Sequence, residues 1–129
     1  MPISYVFDRP QRRIQTVVTG SVSVDDILGH VEAVRREQTI AYAELIDVRG
    51  VTPPWLSTSD VWRAAGLVRT FKSDERFGPR AVIVGSDLIF GIARMFANLI
   101  QDVAPMNVFH DQVQAEAWLS GWPQPVGGT

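Results

Sequence analysis

Few residue types in this 129-residue chain could do chemistry: two histidines, no cysteine, and a hydroxyl-rich run at Ser57, Thr58 and Ser59. A metal site needs several His, Cys or carboxylate ligands at matched spacing. His30 sits between Ile27 and Val31 of an amphipathic run and reads as a boundary or surface residue. His110 precedes Asp111, a helix-capping type. Neither has a carboxylate at ligand spacing, so no metal is expected. Asp47 and Arg49 alternate at a strand end, the spacing of a local ion pair. Gly85-Ser86-Asp87 is too short to cradle a phosphate, and there is no Gly-x-Ser-x-Gly elbow. The expectation is a protein that is not an enzyme, with no cofactor and no catalytic residue.

These side chains hang on a regular alternation of elements. Ile3 to Phe7 and Ile14 to Thr19 read as strands joined by a turn at Asp8-Arg9-Pro10-Gln11, an antiparallel hairpin. Ser23 caps a helix whose Val24, Ile27, Leu28, Val31 and Val34 recur at helical spacing, with Asp25 and Asp26 at the positive end of its dipole. Leu45, Ile46 and Val48 form the next strand. Ser57 and Asp60 approximate a capping box, followed by a stripe of Val61, Ala64, Ala65, Val68 and Phe71. Lys72 to Arg76 reads as the charged end of that helix, stopped by Gly78-Pro79.

Ala81 to Val84 is a β-branched run without alternation, as in a parallel strand covered on both faces. Ser86 and Asp87 start a third helix that runs to about Gln101. Pro105 breaks the chain, Asn107 to Phe109 is a last strand, and Asp111 caps a helix carrying Val113, Ala117, Trp118 and Leu119. The order β-β-α-β-α-β-α-β-α predicts an α/β domain over residues 1–121, with a five-stranded, mainly parallel mixed sheet flanked by four helices. Residues 122–129 form a Pro/Gly-rich tail.

Composition narrows the partners. An apolar share of 46%, a charged share of 20% and a net charge of −2 fit a globular domain with no pull toward nucleic acid or anionic membrane. The first residues lack the apolar stretch of a signal peptide, and no window reaches the length of a membrane span. With no cysteine, the expected setting is the cytoplasm.

The segment Ala43 to Asp60, AELIDVRGVTPPWLSTSD, places a polar loop at the carboxyl end of a parallel strand, where such folds keep their sites. The opening ISYVFD, the strand RIQTVVTG, the helix SVDDILGHVEAV, the stretch ELIDVRGV and the blocks RAVIVGSDLIFGIARMF and VFHDQVQAEAWL follow one another in an order that resembles the bacterial SpoIIAA-like family. These small proteins are also described as STAS/SEC14-like domains. The resemblance implies a non-catalytic regulatory or protein-interaction module. By likeness to STAS anti-sigma-factor antagonists, it makes Ser57 and Ser59 candidate phosphorylation positions. The chain departs from the usual Asp-Ser-Ser-Gly-like stretch, having Pro53-Pro54-Trp55-Leu56 before Ser57, and capping alone accounts for these residue types. Likeness to SEC14-like domains implies instead an apolar small molecule or lipid held between helices and sheet, with peripheral membrane association.

The third helix bears on both alternatives. Leu88, Ile89, Phe90, Ile92, Ala93, Met95, Phe96, Ala97, Leu99 and Ile100 wrap most of its circumference, so faces turned from the sheet need a cover. A homodimer through this helix is one expectation. A ligand or partner surface formed by Trp55, Trp62, Phe90, Met95 and Phe96 is the other.

Overall fold

The computed structural model describes residues 2–71 and 76–122. Its elements are β1 (Ile3–Asp8), β2 (Arg13–Gly20), α1 (Val24–Arg36), β3 (Ala43–Val51), α2 (Thr58–Val68), β4 (Arg80–Ile83), α3 (Asp87–Leu99), β5 (Met106–Phe109) and α4 (Gln112–Ser120). The strands lie side by side in chain order, β1 antiparallel to β2 and every later neighbour parallel. Each right-handed crossover therefore advances one strand in the same direction, which sends α1, α2 and α3 to one face of the sheet. Helix α1 packs on α2 and α2 on α3, while α4 crosses the opposite face over β3, β4 and β5.

Side-chain parity on the strands agrees with these two layers. Val48, Val82, Val84 and Val108 meet Ile89, Ala93 and Ala97 of α3 on one face. Ala43, Leu45, Ala81 and Ile83 meet Ala115 and Leu119 of α4 on the other. All residues of β4 are buried, as its continuous β-branched run requires of a strand covered twice.

The helix starts are those the caps dictate. Ser23–Asp26 and Ser57–Asp60 are reciprocal capping boxes, and Ser86 and Asp111 cap α3 and α4. The end of α2 differs from the sequence expectation. It stops at Val68 with Arg69 as C-cap, and Arg69 is anchored across to the α3 end by Asp102 and the Leu99 carbonyl. Phe71 lies beyond the helix, and most of the charged segment expected to end it (72–75) lies outside the described residues.

On α4, Val113 is 78% exposed. The buried positions are Ala115 and Leu119, because a small side chain lets the helix approach the sheet. Of the C-terminal tail only Trp122 is described, its ring 5.4 Å from that of Trp118; 123–129 lie outside the described residues.

Candidate functional site

The helices over β1–β5 do not close completely on the sheet. Between α1, α2, α3 and the strands lies a partly open cavity of about 120 Å³. Its walls come from Val18, Ile46, Val48 and Val82 of the sheet, Ile27 and Val31 of α1, and Ala93 and Phe96 of α3, with Trp55 and Leu56 from the loop after β3. Ile27, Leu28 and Val31 are only half-buried although they occupy the inner stripe of α1. For Ile27 and Val31 the reason is that they face the cavity.

Beneath the apolar lining is a group of buried polar side chains. Parallel pairing sets Glu44 of β3 beside Arg80 of β4, and Arg80 Nε lies 3.2 Å from Glu44 Oε1. Thr16 of β2 donates its hydroxyl to Glu44 Oε2 at 2.6 Å. His30, reaching down from α1, places Nε2 2.6 Å from that same oxygen. All four residues line the cavity. The Glu44 and Arg80 side chains are only 3% and 5% exposed. Arg80 Nη1 donates to three carbonyls, of Ile40, Tyr42 and Gly78, each at 2.9 Å. Gly78 has to be a glycine here, since a Cβ would sit 2.4 Å from the Ala41 and Tyr42 carbonyl oxygens.

Burial is the largest influence on Glu44 and pushes its carboxyl upward. The His30 hydrogen bond, the charges of Arg80 and His30 and the Thr16 hydroxyl together outweigh it, so the group lies below its ordinary value and is a carboxylate. Burial likewise dominates Arg80 and draws it downward, against the pull of Glu44. A guanidinium nonetheless remains a cation in proteins.

His30 is thus not a surface residue but a partly buried one at the boundary between α1 and the sheet. Its side chain is 11% exposed, with the Tyr5 ring centroid 4.9 Å away. A carboxylate only accepts, so the His30 Nε2 facing Glu44 carries hydrogen. The other ring nitrogen, Nδ1, is buried without a hydrogen-bonding partner among the described residues, as is Trp55 Nε1.

Of the residues expected to form a ligand or partner surface, Trp55 and Phe96 line the cavity, while Trp62, Phe90 and Met95 do not. Trp62 is 59% exposed on the outer side of α2. Phe90 is half-buried and stacks on His110 at 4.6 Å, and Met95 is half-buried on α3. The wrapped apolar surface of α3 is largely taken up by the sheet, α2 and the cavity. Ile89, Ala93 and Ala97 are buried, and Leu88 is 57% exposed.

Ser57 and Ser59 are both exposed at the start of α2, with Ser57 Oγ accepting from the Asp60 amide at 3.1 Å. Asp47 and Arg49 form the expected local pair at 2.7 Å. The Arg49 hydrogen bonds hold the Asp47 carboxyl below its ordinary value. Among the described residues there is no cluster of three or more His, Cys, Asp or Glu able to hold a metal ion. No helix there is long and apolar enough to cross a membrane.

No protein-family model matches the chain. No curated protein is significantly similar to it. Among solved structures it is similar to an uncharacterized protein of the DUF3478 family with a SpoIIAA-like fold from Shewanella loihica PV-4. The two are 18% identical with a TM-score of 0.61, over 91% of this chain and 93% of that one. The domain therefore has the SpoIIAA-like fold.

Proposed function

We propose that this domain is a non-enzymatic binding module that takes a small apolar molecule, or the apolar end of a lipid, into the cavity between the sheet and α1–α3. The observation that carries this reading is the cavity itself, about 120 Å³ with side chains from every strand and a tryptophan-bearing loop in its wall. Engineered apolar cavities of roughly 150 Å³ stay dry and take up benzene or xenon, so a monocyclic ligand is a matching size. The buried charges support binding over catalysis, because Glu44 and Arg80 satisfy one another and Arg80 is further tied to backbone carbonyls.

The test is native mass spectrometry of gently purified protein with organic extraction, followed by titration with toluene. Bound apolar mass, or saturable toluene binding lost in Ala93→Leu, is the expected result. A folded protein that carries no added mass and takes up no toluene would overturn the reading.

A second reading, a cytoplasmic STAS-like regulatory or interaction module that forms a homodimer, is favoured by a different observation. Trp62 and Leu88 are large apolar side chains exposed on α2 and α3. Ser57 and Ser59, exposed at the start of α2, are the modification positions this reading uses. Sedimentation velocity distinguishes it: a dimer that dissociates in Trp62→Glu supports the module, and a monomer at all concentrations removes its dimeric form.

A further inference from the structure

Resting on the cavity reading above, we infer that α1 is a movable lid on the cavity and that the His30–Glu44 hydrogen bond is the latch that holds it closed. Helix α1 has α2 as its close neighbour and stands further from the strands than α3 and α4 do. Its Ile27 and Val31 side chains face that gap half-buried and form part of the cavity wall. Among the described residues, His30 is the one side chain of α1 that hydrogen-bonds to a strand; Asp26 and Glu32 bond locally.

The latch closes on a fixed post. Glu44 is held by Arg80 at 3.2 Å and by the Thr16 hydroxyl at 2.6 Å, and Arg80 is tied in turn to three backbone carbonyls. The His30 end travels with the helix. The bond lies largely out of water, with the Tyr5 ring packed against the imidazole at 4.9 Å. A hydrogen bond to a carboxylate in such surroundings is of the stronger kind. Nε2 can donate from either the neutral or the protonated ring, so the latch does not depend on the charge of His30.

The two ends of α1 are held unequally. At the last turn Val34 packs with Ile14, Ile40 and Tyr42, and its carbonyl accepts the Thr39 hydroxyl at 2.9 Å. At the first turn Val24 is buried, which keeps the closed form dominant. The connection Ser21 to Ser23, however, makes no backbone hydrogen bond to the sheet among the described residues. The helix therefore pivots on its last turn and opens at its first. Gly29 stands beside the latch, inside the helix, where a Cβ would meet nothing within 4 Å. Glycine there loosens the helix relative to alanine without any steric need for it.

The experiment is hydrogen exchange by mass spectrometry on the whole chain as it stands and on His30→Leu, His30→Gln and Gly29→Ala. Toluene release is followed by NMR line shape on the same samples. Local opening should make the α1 amides exchange faster than those of β4. His30→Leu should speed α1 exchange and toluene release about tenfold each, the change one hydrogen bond to a charged group makes, with α4 on the opposite face unchanged. His30→Gln keeps an N–H donor for Glu44 and should return both rates most of the way. Gly29→Ala leaves the buried cluster untouched and should slow α1 exchange severalfold, which keeps the test decisive should His30→Leu not fold.

Exchange that rises equally in α1, β4 and α4 of His30→Leu, or α1 exchange that Gly29→Ala leaves unchanged, would overturn the lid. Toluene that binds but leaves the native chain and His30→Leu at the same rate would also overturn it, with the cavity reading still standing. Toluene that does not bind folded protein would remove the cavity reading and this inference with it.

Discussion

Glu44→Gln would separate the electrostatics of the buried cluster from its packing, since it keeps side-chain shape and removes one charge. The Arg80 guanidinium, 5% exposed, would lose its counter-ion at 3.2 Å. The new amide nitrogen would also point a donor where Arg80 or the Thr16 and His30 donors now find an acceptor. Removing one partner of a buried ion pair costs about 3–5 kcal/mol, against a total of about 5–15 for a domain. The melting temperature should fall by on the order of 10 °C.

Urea unfolding followed by tryptophan fluorescence at pH 7 reads the loss directly, with an unchanged m-value showing that the same surface is still buried. Acidification supplies a second arm. The folded-state Glu44 carboxyl lies below its ordinary value of 4.5, so its stabilising effect is fully present above that pH. The effect is lost as pH falls through the depressed value, with Arg80 charged throughout. The gap between the native chain and Glu44→Gln should therefore be widest near neutrality and shrink below about pH 4.5. A loss under about 1 kcal/mol at pH 7, or a gap that does not narrow in acid, would refute the assignment of a buried carboxylate paired to Arg80.

Ala93→Leu should raise stability by about 1 kcal/mol by filling part of the cavity, and should weaken toluene binding at least tenfold; unfolding and calorimetry on one preparation check both. Gly78→Ala should cost about 1–3 kcal/mol in urea unfolding, because the Ala41 and Tyr42 carbonyls that a Cβ would strike are backbone and have little room to yield. Ser57→Ala should remove the α2 cap at a cost of about 1 kcal/mol by thermal melting, with the circular dichroism of the folded state unchanged. Arg49→Ala breaks an ion pair whose arginine is exposed, and should cost under about 1 kcal/mol in the same urea assay that finds a large loss for Glu44→Gln.

The sequence alone determined the layered plan. Apolar runs of strand and helix character, punctuated by Ser23, Ser57, Ser86 and Asp111, located each strand to within a few residues and each helix start at its cap, because capping and amphipathic burial are local in the chain. Right-handed crossovers between successive strands then leave little freedom in how the helices are arranged. Trp55 and Phe96 could be singled out as apolar residues needing a partner, and both line the cavity.

Tertiary structure alone decided the polar floor. Glu44 is one charge inside AELIDV and Arg80 one charge before an apolar run, and neither announces a partner 36 positions away. They meet because parallel pairing of β3 and β4 puts them in register, a long-range choice made by whole strands. His30 read as a boundary or surface residue without a partner for the same reason. Its helical position is amphipathically ambiguous, and only the docking of α1 over β2 and β3 turns it onto Glu44. The cavity is likewise a property of packing. It exists because three helices meeting one sheet leave space between them, and no single element of the sequence records how far apart its neighbours will stand.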